Sequence, residues 1–286
     1  MAHAIEPGSG MPHPVSILLS SANVGGYSAR RWRACAVLAG IAGLALAFVP
    51  VAANAFGPPP QPVPFIGCSG DGQTGPVDAS ETTRAAPRLA GDVASRLAYY
   101  AFRSVGVLAP RSSRCFGLYG SDADILFVTP DPHGFDDLRA DAPKLHGPAV
   151  VIARHSGETS GRIEVAAVAA RLFPAARHFV RKVIAENIVA ATHFHFAPYK
   201  TDTVRRLSST VAEFVTPPNR EGLGTSGRIA ANDQPVAGVA IWLPDQGNDL
   251  VMTLVRLDPH LRREVRTILT QTERTLESPE LVGRGK

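Results

Sequence analysis

The chain has 286 residues, a formal charge of +4 at pH 7 and a pI near 9.2. The basic pI reflects a small excess of arginine, and no basic run follows the first third of the sequence, so the composition gives no support to nucleic-acid binding. The length is enough to bury a sizeable core in one domain or two small ones.

The stretch from Ala34 to Val51 is apolar and uncharged, with Arg30, Arg31 and Arg33 before it and Ala53-Asn54-Ala55 after it. A basic flank, an apolar run and a small-x-small exit describe a cleavable secretory signal. Residues 1–55 are therefore predicted as a signal peptide, with cleavage after Ala55 and the mature chain periplasmic or secreted. A retained membrane anchor is the rival reading, because the run is near the length that spans a bilayer. Phe65-Ile66-Gly67-Cys68 offers a lipobox, and Met11 an alternative start. Cys35 leaves with the signal. Cys68 and Cys115 remain as an even pair in an oxidising compartment, where they predict a disulfide.

Residues 56–88 are rich in Pro and Gly and read as a linker: an extended spacer (FGPPPQPVP), then a polar loop over 69–88. An α+β domain is expected over 89–277. Leu89 to Phe102 is predicted as its first helix, because Leu89, Val93, Leu97 and Tyr100 recur at helical spacing. Cys115 to Tyr119 and Ile125 to Thr129 predict a hairpin about Gly120 to Asp124, with Asp122 and Asp124 bonding their own turn. A proline-rich loop covers 130–147, and Ala149 to Ala153 reads as a buried strand. Ile163 to Ile188 is predicted helical with a break at Pro174. Residues 192–206 read as irregular and Thr210 to Val215 as an exposed strand. Gly227 to Ala231, Val236 to Leu243 and Leu250 to Leu257 predict an antiparallel meander. Asp258-Pro259 opens a last helix with Leu261, Val265, Ile268, Leu269, Thr272 and Leu276 on its buried face. Residues 278–286 are expected to be a disordered tail.

Strands segregated from helices predict an α+β fold, an antiparallel sheet with helices packed against it. The Pro110 turn, the Cys115 to Thr129 hairpin and the final meander with its terminal helix resemble a Mog1/PsbP-like α/β/α sandwich over roughly residues 89–276. The stretches CFGLYGS and TPPNREGLGTSG resemble those of an uncharacterised group of bacterial exported proteins. The sandwich resemblance implies a binding or assembly module and supplies no active site.

Candidate sites follow from residue types. Gly222-Leu223-Gly224-Thr225-Ser226-Gly227 matches G-x-G-x-x-G, but Pro217-Pro218 precede it and a strand is expected after it, so a dinucleotide role is not supported. An anion site over Arg220, Gly222, Gly224 and Arg228 is the alternative, with backbone amides flanked by guanidinium groups. Where the His193-Phe194-His195 segment is extended, both imidazoles fall on one side and offer two metal ligands. His146, His155, His178 or Asp202 would have to supply a third. Asp131, Asp136, Asp137 and Asp141 offer carboxylates for calcium without the EF-hand order. Ser69, Ser121, Ser160 and Ser226 lie in no G-x-S-x-G elbow. No cofactor is called for. The expected function is an exported, non-catalytic module that binds a partner protein or an envelope component, with membrane contact only through an uncleaved leader. The alternative is a metal- or anion-dependent envelope enzyme using His193, His195 and the 220–228 loop.

Overall fold

A computed structural model describes residues 59–79, 86–131 and 144–277. These lie within a compact unit running from Asn54 to Lys286. The signal segment, Asp136, Asp137 and Asp141, the Leu276 side chain and the tail lie outside the described residues.

Within the stretch read as a linker the chain forms four short strands: β1 (Gln61–Pro62), β2 (Phe65–Gly67), β3 (Gly70–Gly72) and β4 (Arg88–Leu89). A single turn of helix, α1 (Gly91–Ala94), leads into a hairpin, β5 (Leu97–Phe102) and β6 (Val105–Pro110). The helix expected over Leu89 to Phe102 is therefore absent. All six residues of β5 are buried, which a helix resting on one face would not allow. Its run Leu-Ala-Tyr-Tyr-Ala-Phe suits a strand covered on both sides. The two-residue turn Arg103-Ser104 carries no glycine signature. Arg103 takes a positive φ of 48°, and Asp124 accepts hydrogen bonds from Arg103 Nε at 2.8 Å and Ser104 Oγ at 2.5 Å. Asp124 thus braces the neighbouring hairpin as well as sitting beside its own turn.

The predicted hairpin is present as β7 (Arg114–Tyr119) and β8 (Ala123–Thr129), followed by β9 (Ala149–His155). The kinked helix is a pair, α2 (Arg162–Leu172) and α3 (Arg177–Ala185), parted where Phe173 becomes extended before Pro174. Then come β10 (Thr203–Arg206), β11 (Val211–Thr216), α4 (Leu223–Ser226), β12 (Val236–Leu243), β13 (Asp249–Arg256) and α5 (Glu264–Glu277). β10 occupies part of the stretch expected to be irregular. β11 was expected to be exposed, yet Ala212, Glu213, Phe214 and Thr216 are buried because both faces of its sheet are covered. The strand expected over Gly227 to Ala231 is only an isolated bridge between Ile229 and Leu145.

The central sheet has eight strands in the order β10-β11-β12-β13-β9-β8-β7-β3. It is antiparallel except at its end, where β3 runs parallel to β7. A second sheet, β2-β5-β6, is likewise mixed, with β2 parallel to β5. The fold is thus a mixed α/β fold dominated by sheets, and the expectation of a purely antiparallel sheet fails. Two short strands near the N-terminus join strands that come later in the chain, and they do so in the parallel sense.

Alternation along the central strands divides the core. Leu250, Met252 and Leu254 of β13 face α2 and α3 together with Phe127, Val151 and Trp242. Val251 and Val255 face the β5-β6 hairpin and α5, together with Leu126, Val128 and Ile152. On α5 the expected face is present: Ile268, Leu269 and Thr272 are buried, and Leu261 and Val265 pack beside them. Phe102 ties the sheets together. A Cβ placed on Gly70 or on Gly117 would stand 2.6 and 2.3 Å from its ring, so both positions must stay bare. Cys68 and Cys115 form the predicted disulfide, with Cα atoms 5.6 Å apart. Among the described residues no helix is long and apolar enough to cross a membrane.

Candidate functional site

A cleft of about 570 Å³ opens at the outer edge of the helical layer. One wall is α2, an alanine-rich helix whose composition favours helix formation. Val165, Ala166, Ala169 and Leu172 are buried in the core. Glu164, Ala167, Val168 and Arg171, at i, i+3, i+4 and i+7, form the adjoining stripe and line the cleft. The start of α2 is pinned to the end of α3 by Arg162, whose Nη2 lies 2.6 Å from Glu186 Oε2.

The opposite wall is the segment after α3. Asn187, at φ 52°, ends that helix in the left-handed conformation that Asn tolerates. Ala191–His193 make a 3-10 turn, and Phe194 continues in extended geometry. Phe194 is buried while His193, at the end of the 3-10 turn, and His195 are exposed and line the cleft. The segment is strapped to α2 by Arg171. Its guanidinium lies 3.9 Å over the Tyr199 ring, and its Nη1 donates to the Ala197 carbonyl at 3.3 Å.

The third side is α4, which is the G-x-G-x-x-G stretch itself. Leu223 and Ser226 line the cleft. The amides proposed for an anion are occupied within the chain. Gly222 N donates to Thr225 Oγ1 at 3.0 Å, Leu223 N to Asp202 Oδ2 at 2.8 Å, and Gly224 N to Thr216 Oγ1 at 2.9 Å. Thr216 in turn donates to Asp202 Oδ1 at 2.7 Å. The glycines serve close packing: a Cβ at Gly222 would lie 2.0 Å from Asp202 Oδ1, and one at Gly224 2.8 Å from Val236 Cβ. Arg220 is exposed and Arg228 half-buried, and neither lines the cleft.

The structure thus brings together His193, His195 and part of the glycine-rich stretch on one cleft. It gives the imidazoles no further metal ligand: among the described residues no group of three or more His, Cys, Asp or Glu side chains could hold an ion. Asp202, one of the suggested third ligands, instead accepts from the α4 turn. Half-buried His155 sits in strand β9; burial pushes its imidazole below the ordinary range, against the pull of Glu164 and Asp122. Ser226 lines the cleft, but its hydroxyl donates to Leu223 O at 3.1 Å and not to an imidazole. Glu164, Arg171, Thr192 and Tyr199 were missed from sequence. The available signal was the i, i+3, i+7 stripe of Glu164, Ala167 and Arg171, which also describes an ordinary solvated helix face. The lining combines a carboxylate, a guanidinium, imidazoles and hydroxyls over a partly apolar floor, a composition suited to holding a polar ligand. No family model, no curated protein and no solved structure matches this chain.

Proposed function

We propose that the protein is an exported, periplasmic or secreted, non-catalytic binding module whose ligand site is the cleft between α2, the 189–199 segment and α4. The observation that carries this reading is the convergence of His193, His195 and Ser226 on one cleft in which the serine hydroxyl is committed to a carbonyl. Nucleophilic catalysis needs that proton on a base. The Cys68–Cys115 bond supports an oxidising compartment. The Mog1/PsbP-like resemblance of the sequence adds support, since that architecture is suited to binding an envelope component or partner protein.

The test is the intact mass of the chain expressed with its own leader, measured under denaturing and native conditions. The expected product begins at Phe56 and is lighter by two hydrogens than the reduced chain. An intact N-terminus would replace export by membrane tethering. A metal carried in stoichiometric amount, lost on denaturation or on His193→Ala/His195→Ala substitution, would overturn the non-catalytic reading in favour of a metal-dependent envelope enzyme.

A further inference from the structure

We infer that the cleft takes a short zwitterionic peptide of two or three residues, with its ammonium group at Glu164 and its carboxylate at Arg171; this rests on the cleft being the ligand site. Glu164 and Arg171 are seven residues apart on α2 and both line the cleft. Seven residues bring a helix back to the same face within roughly 20°, and advance it by about 10 Å. Side chains on a helix all tilt toward its N-terminus, so that spacing carries over to the charged ends. An extended tripeptide spans about 10 Å.

Neither charge is matched by an ion pair among the described residues. Glu164 feels the His155 imidazole, and no hydrogen bond or ion pair from the described residues reaches its carboxylate. Arg171 gives Nη1 to a carbonyl and its π face to Tyr199, which leaves its other N–H groups for a ligand. The ring and the carbonyl fix the plane of the guanidinium, and a fixed fork is what a carboxylate recognises in bidentate fashion.

Between the two ends the Thr192 hydroxyl and the His193 and His195 imidazoles can donate and accept, and the Ser226 hydroxyl, its proton given to Leu223 O, can accept. A peptide backbone, with N–H and C=O in alternation, needs such partners. Ala167, Val168 and Leu223 leave an apolar floor with room for small side chains. A simple anion would gain Arg171 but face Glu164. A metal cation would gain Glu164 but face Arg171.

The experiment uses the oxidised full mature chain with labelled histidine. Calorimetry and imidazole NMR are run with tri-alanine, N-acetyl-tri-alanine and tri-alanine amide. Tri-alanine should bind and move the His193 and His195 resonances. Blocking either terminus should weaken binding by about tenfold or more, the scale of one lost charge-assisted contact. Glu164→Gln should weaken tri-alanine but not its N-acetyl form, with unchanged melting; Arg171→Gln should weaken tri-alanine but not its amide, with melting lowered by the lost Tyr199 and Ala197 contacts. Equal binding of all three probes, or full competition by acetate, would overturn the zwitterion while leaving the cleft as the site. Heat without imidazole shifts would overturn the cleft itself. No binding at millimolar tri-alanine would overturn the peptide inference alone, since the native mass measurement judges the cleft separately.

Discussion

Arg256 is 1% exposed and, among the described residues, meets no carboxylate at hydrogen-bond distance; main-chain carbonyls take its N–H groups. Its Nε and Nη2 donate to Gly147 O at 2.9 and 2.7 Å, Nη2 also to Leu145 O at 2.7 Å, and Nη1 to Ala230 O at 2.5 Å. Burial pulls its pKa down, with Asp233 pulling the other way. The guanidinium gathers two irregular segments, around 145–147 and 229–230, which an isolated bridge and the Asn232 Nδ2 bond to His146 O also join. Arg256→Met should destabilise the fold by about 3 kcal/mol, because the Gly147 and Ala230 carbonyls lose their Arg256 donor and the Leu145 carbonyl keeps only the Ala230 amide. Urea unfolding would read this as a lower midpoint. Arg256→Lys should recover only part of the loss, since one ammonium cannot reproduce the fork.

Tyr100 makes a comparable link at the same scale. Its hydroxyl donates to Pro110 O at 2.8 Å and Ser113 O at 3.0 Å. Burial pushes its pKa up to about 12, and the Ser113 bond pulls the other way. A raised folded pKa favours the neutral form in the native state. The stabilisation is therefore complete below the unfolded value of about 10 and disappears as pH rises toward 12. Stability measured from pH 9 to 12 should fall in wild type, and Tyr100→Phe should flatten that fall while costing about 1 kcal/mol at neutral pH.

Among elements, the disulfide does the most to hold the N-terminal strands. β2 and β3 are three residues each and lie on either side of Cys68, so their own pairing is slight. The bond closes a separation of 47 residues. The chain-entropy relation gives roughly 4 kcal/mol for a loop of that size. Cys68→Ser/Cys115→Ser should lower stability by up to about that amount, and hydrogen exchange should show β2 and β3 released before the meander. What the sequence made legible at this scale follows the range of the interactions. The β7-β8 hairpin, the Pro174 break and the β12-β13 pair rest on local patterns, and each was foreseen. β2 and β3 pair with strands about 30 to 50 residues ahead, and no local pattern announces a partner that distant. Leu97–Phe102 failed for another reason. Leu89, Val93, Leu97 and Tyr100 fit a helical spacing by coincidence, while the complete burial that selects a strand is a tertiary fact. At the cleft, His193 and His195 stood out as rare residue types, whereas Glu164 and Arg171 were indistinguishable from surface charges until α2 was placed.

For the whole molecule, the central sheet is covered on both faces and its last strands differ in how they end it. β10 carries Arg205 and Arg206, and charges of this kind blunt an edge against pairing with another chain. The other end is β3, Gly-Asp-Gly, held in parallel against β7. That parallel join has a consequence for a chain that is synthesised N-terminus first. Cys68 and the strands beside it emerge with nothing to pair with, and must wait until β5 and β7 follow. The bond between Cys68 and Cys115 cannot close before β7 has followed, whereas β11, β12 and β13 pair with their neighbours in sequence.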